Sequence, residues 1–145
     1  MRNKPLTILL VEDNLDHAEL ILRSFRKHFV ASTIFHVTDG EAALDYVFRR
    51  GEYTNPDKSP RPHMILLDLR LPKIDGLEVL KEIKANQELH LIPVVILTTS
   101  ETPRDLAGAY DNYANSYLVK PVGFDKFAQL MNDLGGYWLH WNRHP

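Results

Sequence analysis

The chain has 145 residues, 44% of them hydrophobic and 25% charged, with a formal net charge of −2 and no cysteine. That length suits one domain with a real core, and the near-neutral balance leaves no basic face of the kind that phosphate-backbone binding needs, which argues against a nucleic-acid partner. Disulfides, thiolate metal sites and thiol catalysis are excluded, no apolar run approaches the roughly 20 residues that span a bilayer, and no signal-peptide pattern precedes the first strand, so a reducing cytoplasm is the expected setting.

Apolar character switches along the chain between short continuous runs and longer helical patterns. Leu6–Val11 is short, β-rich and apolar on both faces, as a central parallel strand should be. Asn14 can cap a following helix in which Leu15, Ala18, Leu22, Phe25 and Phe29 recur at helical spacing. Ser32–Val37 reads as a second strand. Thr38 and Glu41 form a capping-box pattern that opens a helix through about Arg50. The stretch 51–62, GEYTNPDKSPRP, holds three prolines and few apolar residues and reads as an enlarged surface loop.

Met64–Leu67 is the third strand and runs straight into Asp68. Asp75 and Glu78 start a helix to about Asn86. Pro93–Leu97 is the fourth strand, and Thr102-Pro103 opens the next helix with a cap and a proline at its first position. Ser116–Val119 is the fifth strand, followed by Lys120-Pro121 and a last helix from about Phe124. Strands that alternate with helices in this way imply right-handed crossovers and a parallel sheet covered on both faces. In such sheets ligands bind outside the carboxyl ends of the strands.

Those ends carry Glu12-Asp13, Asp68, Thr98 and Lys120. Acidic side chains at adjacent strand ends repel unless a positive charge sits between them. Mg²⁺ suits such a site, because it is a hard cation that takes oxygen ligands and keeps several waters. A carboxylate can act as the nucleophile in phosphoryl transfer, while a cation, a lysine and a hydroxyl offset charge on the phosphoryl oxygens. Taken singly, each residue has an ordinary explanation: a turn aspartate, a helix-start acidic pair, a strand-end hydroxyl, a solvated lysine. Their placement in order at four strand ends makes the functional explanation the better one.

The segments LLVEDN (9–14), LLDLRLPKIDG (66–76), VILTTS (95–100) and YLVKP (117–121) resemble the receiver domain of two-component response regulators. The similarity covers nearly the whole chain. It implies a flavodoxin-like, CheY-like (βα)5 fold, with a five-stranded parallel sheet in the order 2-1-3-4-5. It also implies Asp68 as phosphoacceptor, Asp13 as a direct Mg²⁺ ligand, Glu12 acting on the metal mainly through water, and Arg70 lending its backbone carbonyl. Lys120 would pair with the phosphoryl group, with a cis bond before Pro121. Thr98 and Tyr117 would form the switch that alters the face of helix four, strand five and helix five. The donor would be a phosphohistidine on a sensor histidine kinase, so the chain would catalyse only its own phosphorylation and dephosphorylation. Arg70 and Ser100 stand where side chains of this family influence attack by water. Arg70 is expected to shield the acyl phosphate or to pair with an acidic neighbour.

A narrower resemblance, carried by Arg49–Leu69, by IPVVILTTS (92–100) and by the aromatic tail, is to small stand-alone regulators of bacterial phytochrome kinases. It implies a phytochrome input and a homodimer. The expected organisation is a single receiver over 1–145, with 135–145 an aromatic extension in which Tyr137, Trp138 and Trp141 are interface candidates. Phe127, Leu134, Trp138 and Trp141 share one helical face, and Gly135-Gly136 is a point where that helix could kink or end. The seven histidines, at 17, 28, 36, 63, 90, 140 and 144, show no metal-ligand spacing; His17, one turn into helix one and near the acidic site in sequence, could line the pocket, but a solvated helix residue is the favoured reading. A haloacid-dehalogenase phosphatase would carry an aspartate where Arg70 stands. A flavin carrier would need a phosphate loop where the chain has Glu12-Asp13.

Overall fold

A computed structural model describes residues 6–28 and 32–137. Five parallel strands, β1 (Thr7–Val11), β2 (Thr33–Val37), β3 (Met64–Leu67), β4 (Val94–Thr98) and β5 (Ser116–Val119), form one sheet in the order β2-β1-β3-β4-β5. Between and after them run α1 (Leu15–His28), α2 (Gly40–Phe48), α3 (Gly76–Ala85), α4 (Pro103–Asp111) and α5 (Phe124–Gly136). This is the CheY-like (βα)5 arrangement.

The side-chain period of two along each strand divides the core into two layers. Leu9, Val11, Ile65, Leu67, Val94 and Ile96 point to one face, where α2 and α3 supply Ala43, Leu44, Val47, Val79, Leu80 and Ile83. Ile8, Leu10, Met64, Leu66, Val95 and Leu97 point to the other and meet Ile21 and Phe25 of α1 and Phe127 and Met131 of α5. Every residue of β3 and β4 is buried, which is why both strands read as unbroken apolar runs.

The helix starts follow from their caps. Asn14 Oδ1 accepts from the N–H groups of Asp16 (3.0 Å) and His17 (3.1 Å). Asp75 caps α3 and Thr102 caps α4, with Pro103 at the first helical position. The α2 cap is a correction: Asp39, not Thr38, accepts from Ala42 N at 2.7 Å. Gly40 explains the shift, because a Cβ there would lie 1.9 Å from the Ile74 carbonyl oxygen, so the helix begins where only glycine fits. Leu15, expected on the core face, is 69% exposed at the tip of α1.

The 51–62 connection is more structured than its composition suggests. It opens with a 3-10 turn over Gly51–Tyr53, buries Ser59, and is pinned by Tyr46 Oη donating to the Pro60 carbonyl (2.8 Å) and Arg61 donating to the Val47 carbonyl (3.1 Å). At the amino end of the sheet, half-buried Lys84 donates to the carbonyls of Ile92 (2.8 Å) and His90 (3.0 Å) and to Asn115 Oδ1 (3.2 Å). No peptide bond among the described residues is cis, which corrects the expectation for Lys120–Pro121; the turn into α5 is made at Gly123, at φ 100.

Helix α5 runs through Gly135 and ends at Gly136, with Tyr137 as its C-cap. Trp138 and Trp141 lie outside the described residues. No helix among the described residues is long and apolar enough to cross a membrane.

Candidate functional site

The sheet ladder continues past the strands and brings their carboxyl ends into register. Asp68 N donates to the Val11 carbonyl (3.1 Å), Lys120 N to the Thr98 carbonyl (2.7 Å) and Glu12 N to the Val37 carbonyl (3.1 Å). Side chains one residue beyond β1, β3 and β5 therefore face one another at the rim. Glu12, Asp68, Thr98 and Lys120 are all buried there, whereas Asp13 is exposed.

Lys120 is the centre of the arrangement. Its Nζ donates to Glu12 Oε1 at 2.6 Å and to Asp68 Oδ2 at 2.9 Å, and lies 3.0 Å from His17 Nδ1. Thr98 hydrogen-bonds the Asp68 carboxylate, and Arg70 N donates to Asp68 Oδ1 at 3.3 Å. Burial acts to raise the Asp68 pKa, but Lys120, Thr98 and the Arg70 N–H together hold it below the ordinary carboxylate value. Burial pushes Glu12 up to about 7, against the opposing pull of Lys120 and with a contribution from the Asp68 charge. Both carboxylates bond the same ammonium, so the difference lies in the other donors. Glu12 has the Asn14 N–H (3.1 Å) besides Lys120, while Asp68 has two more. Asp68 is the carboxylate that stays ionised near neutral pH.

Glu12, Asp13 and Asp68 can each offer one oxygen within 4.8 Å of the others, and they form the only group of metal-ligating side chains found among the described residues. An all-carboxylate set at a sheet rim, with one member exposed, fits a hard divalent cation that keeps part of its water. What the site offers chemically is an ionised carboxylate nucleophile beside a cation site, an ammonium and a hydroxyl.

Arg70 turns away from Asp68 and pairs with Asp105 of α4, a carboxylate that also accepts from Ser100 Oγ. The acidic neighbour expected for Arg70 is thus a residue 35 positions away. Tyr117 is half-buried, and its hydroxyl donates to the Ser100 carbonyl at 2.9 Å. Around it, the α4–β5 face exposes Leu106, Tyr110, Tyr113 and Val119. Tyr137 is 56% exposed. His17 corrects the expectation of a solvated helix residue: its ring is part-buried, sits edge-on to Phe127 at 5.2 Å, and touches Lys120. Its place one turn before Ile21, on the stripe that α1 buries, was the signal available in the sequence.

Residues 8–132 match the family model described as the response regulator receiver domain. The probable methanogenesis regulatory protein FilR2 of Methanothrix harundinacea is 48% identical over 97% of this chain and 88% of its own length. Response regulator Rcp1 of Synechocystis is 40% identical over 94% of this chain and 91% of its own length. The Mn²⁺-bound structure of Rcp1 superposes with a TM-score of 0.92, covering 97% of this chain and 99% of that one. The phosphorylated cyanobacterial phytochrome response regulator RcpA also superposes with a TM-score of 0.92, at 38% identity, covering 98% of this chain and 99% of that one.

Proposed function

The chain belongs to the response regulator receiver family of two-component signalling, and from that premise we propose that Asp68 is its phosphoacceptor, with Lys120 and Thr98 as the groups that receive the phosphoryl oxygens. The observation that carries this reading is the Asp68 carboxylate itself, buried at the end of the central strand β3, held ionised, and 2.9 Å from a buried lysine. In the reaction, an Asp68 oxygen attacks the phosphorus of a phosphohistidine on a kinase. The O–P bond forms, the N–P bond breaks, and the imidazole leaves with the electron pair. Lys120 shifts its N–H from Asp68 Oδ2 to a phosphoryl oxygen, and the Thr98 hydroxyl turns toward another.

Magnesium, held by Glu12, Asp13, Asp68 and the Arg70 carbonyl, would neutralise charge on those oxygens. The chain acts on itself alone and is no enzyme toward other substrates. Withdrawal of the Thr98 hydroxyl from its bond with Ser100 N (3.3 Å), together with inward rotation of Tyr117, changes the α4–β5–α5 face that partners read. The test uses acetyl phosphate or phosphoramidate with Mg²⁺ and intact-protein mass spectrometry. One phosphoryl group on the wild type and none on Asp68→Asn is the expected result; labelling of Asp68→Asn sinks the assignment.

The input is a histidine kinase in the cytoplasm. Likeness to the phytochrome response regulator RcpA supports a phytochrome kinase, and likeness to FilR2, a probable methanogenesis regulatory protein, is the observation that favours a different sensor. Phosphotransfer from a purified bacterial phytochrome kinase in red and far-red light decides between them, and no transfer in either state removes the phytochrome reading. The whole chain acts as one receiver, with 135–145 an extension whose Tyr137, Trp138 and Trp141 contribute to a homodimer. Unchanged sedimentation of a chain ending at Leu134 counts against that role.

A further inference from the structure

The mechanism above leaves His17 without a task, although it makes a direct contact in the site. An ammonium has three N–H donors and no acceptor. Lys120, with a side chain only 2% exposed, therefore finds all three donors occupied by Glu12 at 2.6 Å, Asp68 at 2.9 Å and His17 at 3.0 Å. Because the lysine can only donate, His17 Nδ1 must present its lone pair, which puts the imidazole in its neutral form with the proton on Nε2. Burial and the Lys120 charge both lower the His17 pKa, in the direction that keeps this form. The ring cannot drift from the contact, since it is carried on the first turn of α1 and lies edge-on against Phe127 of α5.

We propose that His17 is a positioning residue for phosphoryl transfer: with Glu12 it fixes two of the three N–H groups of Lys120, so that the third is aimed at Asp68 and then at the phosphoryl oxygen. This rests on the reading of Asp68 as acceptor and Lys120 as its partner. A lysine ammonium is a compact charge on a flexible stem with rotatable donors. Held by Glu12 alone, it would pivot about that shorter contact. His17 supplies the second anchor, and being neutral it does so without adding charge that would compete with the incoming phosphoryl group.

The rival is that His17 merely packs α1 against α5. Two substitutions separate the ideas, because asparagine places its Oδ1 close to where Nδ1 stood, whereas phenylalanine keeps the ring and removes the acceptor. With acetyl phosphate as donor, His17→Phe should phosphorylate about tenfold more slowly at saturation, the lower end of what a hydrogen bond to a charged group is worth, with little change in the half-saturating donor concentration. His17→Asn should stay within about twofold of wild type by the same reasoning. In ¹⁵N-lysine-labelled protein, an exchange-protected ammonium signal from Lys120 should survive in His17→Asn and vanish in His17→Phe.

Wild-type rates in His17→Phe, or equal losses in both variants, overturn the proposal in favour of packing. Should His17→Phe not fold, His17→Ala replaces it: slow Ala with near-normal Asn supports positioning, and slow Ala with slow Asn refutes it. Failure of the wild type itself to be labelled would instead strike the assignment of Asp68.

Discussion

Substituting Glu12 by glutamine should remove the pH dependence of Mg²⁺ binding. Glu12 is 1% exposed, and its folded pKa lies at about 7 against an ordinary 4.5, because burial outweighs Lys120. Its raised pKa means that the unliganded fold holds a proton there. That contribution to stability is complete below about 4.5 and is lost as the pH rises through about 7. A divalent cation must displace this proton. About a tenth of Glu12 is ionised at pH 6 and about nine-tenths at pH 8, so affinity should rise about tenfold over that window, roughly 1.4 kcal/mol.

The groups facing Glu12 are Lys120 from the end of β5, Asp68 from the end of β3, the Asn14 N–H, and His36 of β2, whose Nε2 lies 2.8 Å from the Glu12 carbonyl. Asp68 is held below the ordinary range and stays ionised throughout. Because His17 also titrates, on the acid side of its usual value, a His17→Asn background isolates the Glu12 contribution. Calorimetric titration with Mg²⁺ at pH 6 and pH 8, at one ionic strength, reads the effect. An affinity independent of pH in the His17→Asn background, or a slope that survives when Glu12→Gln is added to it, would refute the reasoning.

Arg70→Ala should change autodephosphorylation several-fold while leaving phosphorylation by acetyl phosphate within twofold, since Arg70 is tied to Asp105 and touches Asp68 only through its backbone; equal decay of the two phosphorylated proteins would count against this. Gly76→Ala would place a Cβ 2.3 Å from the Asp68 carbonyl oxygen and 2.6 Å from Leu69 Cα. It should cost about 1–3 kcal/mol, read as a fall in thermal midpoint of about 2–4 °C per kcal/mol, and also slow phosphorylation by shifting the acceptor. An unchanged midpoint is the contrary result. Tyr117→Phe loses the donor to the Ser100 carbonyl and should cost about 0.5–1.5 kcal/mol by denaturant unfolding; no loss would mean that the hydroxyl bond contributes nothing to the resting state.

Where a stretch of sequence obeys one constraint, it could be read closely. β3 and β5 were legible to the residue: β3 is a run apolar on both faces, β5 a short half-buried run, and each stops at a charged residue, Asp68 in one case and Lys120 in the other. The end of β1 at Glu12 was legible for the same reason, whereas β4 was read as ending at Leu97 and includes the uncharged Thr98. At α2 two capping residues stood side by side, and the choice between Thr38 and Asp39 depended on Gly40 meeting Ile74, a contact 34 positions away. The pairing of Arg70 with Asp105 has no local signal at all. His17 was visible in principle, but a histidine in the polar turn NLDHAE looks solvated until α5 brings Phe127 against it. The 51–62 loop looked open because the acceptors that pin it are backbone carbonyls, which composition does not reveal.

Lys84 and Lys120 hold opposite rims of the sheet, and the nature of their acceptors separates their behaviour. Lys84 is gripped by two main-chain oxygens and an amide, none of which can change charge, so it acts as a rivet joining α3 to the chain entering β4 and β5. Lys120 is gripped by two carboxylates and the His17 ring nitrogen, and under the proposed function the charge on one of those carboxylates is remade by phosphorylation. On that reading one rim of the sheet is clamped for good, while the other is clamped only until a phosphoryl group arrives.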